Sequence, residues 1–160
     1  MWIFCMLCVL PAHTQTACTK HEVRTIDTIQ ATPEAIWSIL TDFEKYPDWH
    51  PYLIKVEGDT VIGTMLHATY TKADGSTDQF KARMLTCNYA KKLSWGGGIG
   101  FLFSAEHYFI IEPIDAQTVL FKQGEYWRGL FGGMYGRKVY EDACVNFERM
   151  NTMLKHLTEQ

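Results

Sequence analysis

The chain has 160 residues, with 15 Lys and Arg against 18 Asp and Glu and a formal net charge of −3. This is the length of one domain, and a mildly acidic chain without a basic run is a poor nucleic-acid binder. At 47% hydrophobic, 21% charged and 14% aromatic it is globular material with rings enough to fill a core or line an apolar pocket, and no apolar run reaches the ~20 residues that span a bilayer.

Residues 1–10 (MWIFCMLCVL) are all apolar, and Pro11 ends the run. The run matches the apolar region of a secretory signal, with Ala17 a candidate last residue before a cut. Against this, no Lys or Arg precedes it, and Gln15 is a poor residue three before Cys18. Cys18 after Thr16-Ala17 hints at a lipoprotein box, which the same Gln15 spoils. The alternative is an apolar extension packed on the domain. The expected organisation is a leader over 1–18 and one domain over 19–160, secreted if the leader is a signal peptide and cytoplasmic otherwise. Of five cysteines, Cys5 and Cys8 fall in the leader. Cys18, Cys87 and Cys144 remain, an odd set at long spacings that makes no disulfide framework. Cys87 and Cys144 read as small core residues.

Positions 23–29 (VRTIDTI) alternate apolar and polar, as a strand should. Thr32-Pro33-Glu34 supplies an N-cap, a Pro at the first helical position and an acid in the first turn, predicting a helix over 33–40. Thr41-Asp42-Phe43-Glu44 has the capping-box pattern and predicts a second short helix, ended by Tyr46-Pro47-Asp48-Trp49-His50-Pro51. Strands are predicted near 52–58, 61–72, 77–88, 91–97, 103–113 and 117–128. Turn signals separate them at Gly58-Asp59, Ala73-Asp74-Gly75, 88–90, the glycine run 96–100 and 113–116. After a glycine-rich hinge over 129–136, residues 137–157 form one amphipathic helix, with Tyr140, Ala143, Phe147, Met150, Leu154 and Leu157 on its apolar side. The expected class is α+β: a seven-stranded antiparallel sheet curled around one long C-terminal helix, with a cavity wherever side chains leave the space between them unfilled.

Several stretches carry a family likeness. They are Ala31-Thr32-Pro33-Glu34-Ala35-Ile36-Trp37, Leu40-Thr41-Asp42-Phe43-Glu44-Lys45-Tyr46-Pro47-Asp48-Trp49-His50-Pro51, Leu93-Ser94-Trp95, His107-Tyr108-Phe109, Thr118-Val119-Leu120-Phe121, Glu125-Tyr126-Trp127-Arg128-Gly129 and the terminal Phe147-x-x-Met150-Asn151-x-x-Leu154-Lys155. Together they resemble the helix-grip fold of the START-like, or SRPBCC, superfamily, and within it the polyketide cyclase/dehydrase-type branch, over about residues 22–159. The resemblance implies a cavity for a hydrophobic small molecule such as a lipid, polyketide or isoprenoid. It brings no shared catalytic set and no cofactor.

Strand alternation sorts side chains between the two faces. Glu106, Tyr108, Ile110 and Glu112 read as outside, and His107, Phe109 and Ile111 as inside. Val119, Phe121, Gln123, Glu125 and Trp127 also read as inside. If Pro113 lies opposite Val119, then Ile111 faces Phe121, Phe109 faces Gln123 and His107 faces Glu125, with Cβ atoms about 4.5–5.5 Å apart. A slip of one residue destroys the pairing. A buried His–Glu pair can serve as a general base with an orienting acid, and equally as a self-satisfied polar pair in a core. The candidate catalytic residues are His107, Glu125 and Tyr70. The candidate ligand-binding residues are Trp49, Leu66, Phe80, Ala82, Met84, Trp95, Phe101, Phe109, Phe121, Gln123, Trp127, Tyr140 and Phe147. The glycine run over 96–100 lacks the ending of a phosphate loop and reads as a flexible hairpin at the cavity mouth, with Phe101 and Phe103 as lid residues. The Cys5-x-x-Cys8 pair sits inside the apolar run and has no second pair of ligands, and no histidines have metal-ligand spacing, so neither metal nor cofactor is expected. The readings are a carrier or sensor of a hydrophobic molecule, a cyclase or dehydratase working through the His–Glu pair, and an interaction protein with a vestigial cavity. A monomer or weak homodimer is expected.

Overall fold

The computed structural model describes residues 15–72, 74–134 and 137–159. The apolar run and two residues of the 129–136 hinge lie outside them. Eight strands form one antiparallel sheet: β1 Gln15–Cys18, β2 Glu22–Ile29, β3 Leu53–Glu57, β4 Met65–Thr71, β5 Thr77–Asn88, β6 Lys92–Ile99, β7 Phe103–Asp115 and β8 Thr118–Arg128. Their order across the sheet is β1-β2-β8-β7-β6-β5-β4-β3, so the meander from β3 to β8 closes onto β2. Three helices complete the fold: α1 Pro33–Thr41, the single turn α2 Tyr46–Trp49 and α3 Arg137–Thr158. The α+β class holds, with eight strands where the sequence predicts seven.

The additional strand is β1, in which Gln15 lies opposite Ile26 and Cys18 opposite Val23. Its four residues (QTAC) are too few to show a period and become a strand only because β2 offers them a free edge. Cys18 is joined to Cys144 of α3 by a disulfide, with the Cα atoms 6.3 Å apart and a sequence separation of 126. This corrects the expectation that the cysteines form no disulfide. Their long spacing hid the pair, because the contact exists only once α3 packs on β1.

Local signals are obeyed at α1. The Thr32 side chain accepts from the Ala35 backbone N–H at 3.2 Å, and Pro33 opens the helix. The predicted capping box does not form: Thr41 ends α1, and its hydroxyl donates back to the Trp37 carbonyl at 2.8 Å. Residues 43–45 instead make one 3-10 turn leading into α2. The glycine run does not break β6, which continues to Ile99. A Cβ at Gly96 or Gly98 would collide with the carbonyl oxygen of Ala105 or Phe103, so glycine here permits close approach of β7.

Helix α3 lies across β2 and β1 and buries Cys144, Phe147, Met150, Asn151 and Leu154. Leu157, expected on that face, is exposed. Asn151 is buried because the inward side of β2 carries Thr25 and Asp27: Asn151 Nδ2 donates to Thr25 Oγ1 at 3.0 Å, and Lys155 Nζ donates to the Thr28 carbonyl at 2.9 Å and lies 3.6 Å from Asp27. The main core joins α1, α2 and the inner sheet face through Ile29, Leu40, Tyr46, Met84, Leu93, Phe109, Phe121, Met150 and Leu154. Val23, Trp127, Cys144 and Phe147 form a second cluster under the start of α3.

Candidate functional site

Strands β7 and β8 pair with Pro113 opposite Val119, which sets Phe109 opposite Gln123 and His107 opposite Glu125. Neighbouring β6 sets Trp95 beside His107. The Trp95 and His107 rings are stacked at 5.3 Å and 9°, with Phe109 at 4.7 Å and Phe147 of α3 at 4.8 Å completing an aromatic wall around the imidazole. Gln123 Nε2 is 3.3 Å from His107 Nε2 and 3.0 Å from the Met150 sulfur. Gln123 Oε1 is buried without a hydrogen-bond partner among the described residues, a costly state for an amide oxygen.

Burial and not mutual attraction sets the charges. Desolvation lowers His107 to about 3 and raises Glu125 to about 7, a rise moderated by a hydrogen bond from Trp127. The two residues therefore do not form an ion pair at neutral pH: His107 is neutral, and Glu125 is the group poised to exchange a proton. Glu125 and Tyr52 are half-buried. The Tyr52 phenol is pushed up by burial and by the charge of Glu125, which places the two groups in one electrostatic neighbourhood.

His50 joins the same region. Its ring stacks on Tyr46 at 5.2 Å, meets Tyr52 edge-on at 4.4 Å, and accepts the Leu53 backbone N–H at Nδ1 at 3.1 Å. In the neutral ring the proton is thus on Nε2. Burial lowers His50 to about 3, and His107 adds to that effect. The sequence pattern assigns no site role to His50 or Tyr52. The usable signal was the dense aromatic run Tyr46-Pro47-Asp48-Trp49-His50-Pro51-Tyr52, which α2 folds inward.

The other candidates divide clearly. Leu66, Ala82, Met84, Trp95, Phe109, Phe121 and Trp49 are buried in the main core, Trp127 and Phe147 in the second cluster, and Tyr140 is half-buried against that cluster. Tyr70 is half-buried with its ring 6.0 Å from Phe80, at a position that the sheet register does not set level with the His107–Glu125 pair. Phe80 is on the exposed end of β5, and Phe101 is exposed at the β6–β7 turn and does not close over the interior. Outside the sheet, Pro47, Trp49, His50 and Pro51 face Val145, Arg149 and Met153 of α3 across a groove of about 620 Å³. His50 lines this groove as well as touching Tyr52, so it stands between the groove and the interior.

Two neutral buried histidines make the fold acid-sensitive. Each holds its proton less well folded than unfolded, so the unfolded state takes up more protons below the usual histidine value. Stability from these groups is present above about pH 6.5 and falls progressively toward about pH 3. Chemical denaturation across this range is expected to show falling stability, and His107→Gln is expected to reduce the proton uptake on unfolding by about one. An unchanged pH slope in that variant would mean that His107 titrates normally in the folded protein.

A family model described as polyketide cyclase / dehydrase and lipid transport matches residues 20–157. No curated protein matches the chain. Among solved structures, a START superfamily protein from Mycobacterium smegmatis is 21% identical and superposes with a TM-score of 0.68, covering 88% of this chain and 98% of its own. The di-domain ARO/CYC StfQ of the steffimycin biosynthetic pathway is 14% identical with a TM-score of 0.66, over 88% of this chain and 52% of its own. A norcoclaurine synthase point mutant from Thalictrum, in complex with a transition-state analogue, is 14% identical with a TM-score of 0.64, over 91% and 97%. At these identities the likeness is one of fold.

Proposed function

The chain belongs to the polyketide cyclase / dehydrase and lipid transport family, and on that premise we propose that it binds a hydrophobic small molecule, lipid-, polyketide- or isoprenoid-like, between the inner sheet face and α3. The observation that carries this reading is the pairing of an apolar, aromatic inner wall with a buried amide oxygen, Gln123 Oε1, that has no hydrogen-bond partner among the described residues. Trp95, Phe109, Phe121 and Phe147 would hold the apolar body. The unpaired Gln123 Oε1 and the Glu125 carboxyl would take a donor at the ligand's polar end. This is the composition of a small-molecule site: mostly apolar, with convergent polar groups that set orientation.

A second reading is favoured by one observation, the position of Glu125 at about 7. A carboxyl of that strength can take a proton from a carbon next to a carbonyl and return it elsewhere, as a cyclase or dehydratase requires. In that reading Glu125 moves the proton, neutral His107 and Gln123 orient the substrate, and Tyr70 has no assigned part. The export of the chain belongs to the same proposal, with β1 Gln15–Cys18 packed as part of the domain's sheet. A Cys18–Cys144 disulfide suits an oxidising compartment, the destination of a chain with a signal peptide.

Native mass spectrometry of protein purified from its own source tests both readings. A co-purifying molecule that is released intact on denaturation is the expected result for a carrier. One that returns chemically altered after incubation with the protein favours the enzyme. A protein that carries nothing and takes up no apolar probe in solution would sink the ligand site.

A further inference from the structure

Four large apolar side chains stand in solvent at one end of the sheet: Ile99 is 72% exposed, Phe101 81%, Leu130 71% and Met134 72%. They come from two segments knitted together by the backbone. The Leu130 N–H donates to the Phe101 carbonyl at 3.1 Å and the Phe131 N–H to the Leu102 carbonyl at 2.9 Å. Gly129, at φ +94°, allows the approach, because a Cβ there would collide with Phe101 and Leu102. Exposed apolar residues scattered singly are ordinary, whereas a cluster on joined loops marks a surface that meets something else.

Charge around this rim is segregated. Residues 96–105 carry no charged side chain, and 128–140 carry Arg128, Arg137 and Lys138 with no acid. Lys20 adjoins them, because the neighbouring His21 packs against Gly133 and accepts the Trp127 N–H at its carbonyl at 2.9 Å. Arg137 is paired with Glu141 at 2.7 Å and the Arg128 guanidinium lies 4.2 Å over the Tyr126 ring, while Lys20 and Lys138 form no ion pair among the described residues. Two acids near this end, Glu22 and Glu106, are engaged on the outer sheet face by the hydroxyls of Tyr108 and Tyr126. Glu141 and Asp142 follow directly along α3, so the cations left unengaged beside the exposed apolar tips are Lys20 and Lys138.

We propose that this rim is a docking surface for an anionic lipid bilayer. Ile99, Phe101, Leu130 and Met134 enter the boundary between headgroups and acyl chains, while Lys20 and Lys138 face the lipid phosphates. Each part has a separate physical role: the cations bring the acidic protein to a negative surface, and the tips hold it there by burying apolar area. The surface is independent of which molecule the interior binds and does not require catalysis.

Co-sedimentation of the full chain with phosphatidylcholine vesicles, with and without phosphatidylglycerol, tests it. Binding is expected to the anionic vesicles, to be weak to the neutral ones and to fade as salt rises. The triple variant Phe101→Ser, Leu130→Ser, Met134→Ser is expected to lose about tenfold or more in vesicle partition. The double variant Lys20→Glu, Lys138→Glu is expected to lose several-fold and the preference for phosphatidylglycerol. All five positions of change lie in exposed side chains or loops, so an unchanged thermal midpoint and circular dichroism spectrum establish that the fold survives. Equal binding by the triple variant would assign attachment to the apolar residues 1–10 and overturn the proposal. Failure of the wild-type chain to bind anionic vesicles at low salt would overturn it too, and self-association lost in the triple variant would then make the rim a contact between two copies.

Discussion

Replacing Cys144 with Ser is expected to lower the unfolding free energy by about 3–5 kcal/mol. The size of the effect follows from chain entropy. The disulfide spans 126 residues of separation, so it restricts the unfolded chain over most of the domain. It also fastens the weakest part of the sheet: β1 has four residues, pairs only with β2 and touches α3. Cys18→Ser should cost the same, and the double variant no more than either single one, because one bond is lost in all three. Guanidinium denaturation with and without reductant measures it. A midpoint insensitive to reductant would mean that the two thiols are not joined in solution. The bond also decides a processing question: a Cys18 that carries a lipid has no sulfur left for Cys144, so a lipid-modified chain and a disulfide-bonded chain exclude each other.

Glu125→Gln is the substitution with the second largest expected effect, and its sign depends on pH. Burial raises the folded carboxyl from 4.5 to about 7, so the folded protein holds this proton more tightly than the unfolded chain does. The stability contributed by the protonated group is present below about pH 4.5 and is lost as pH rises to about 7. Above that, wild type carries an ionised carboxylate in a desolvated site, whereas Gln remains neutral. The variant is therefore expected to be more stable than wild type at pH 8, by about 2–3 kcal/mol, with the difference vanishing near pH 4.5. Paired denaturation curves at the two pH values measure this directly. A constant difference across pH would mean that Glu125 titrates as an ordinary surface carboxyl. The same variant separates the functional readings. If Glu125 transfers a proton, turnover falls about a hundredfold or more while ligand affinity stays within a few-fold; if it only orients the ligand, affinity falls and no catalytic step is lost.

Much of this architecture was legible because it rests on local rules. Thr32-Pro33 capped a helix where an N-cap and an N1 proline belong, and alternation assigned Phe109, Phe121 and Gln123 to the inner face. The β7–β8 register followed from the hairpin, since turn position and side-chain parity together allow one pairing that keeps Ile111, Phe121 and Val119 inside. The failures have other causes. Thr41 had the spacing of a capping box, but its hydroxyl turned back to the Trp37 carbonyl. The glycine run read as a break, yet it carries a strand against closely approaching carbonyls. Phe101 read as a lid and stands in solvent. Thr41 was decided within its own helix, and the glycine run by the close approach of β7.

From the sequence alone came the class of fold, the pairing of His107 with Glu125 across two strands and the apolar character of their surroundings, because side-chain period and turn chemistry act within a few residues. Tertiary structure decided which charges survive there: desolvation outweighs attraction between the pair, leaving His107 neutral and Glu125 near 7. It also brought in His50 and Tyr52 from another part of the chain, joined Cys18 to Cys144, and gathered Phe101 and Leu130 onto one rim. Burial and long-range contact are properties of the packed molecule, and no local pattern encodes them.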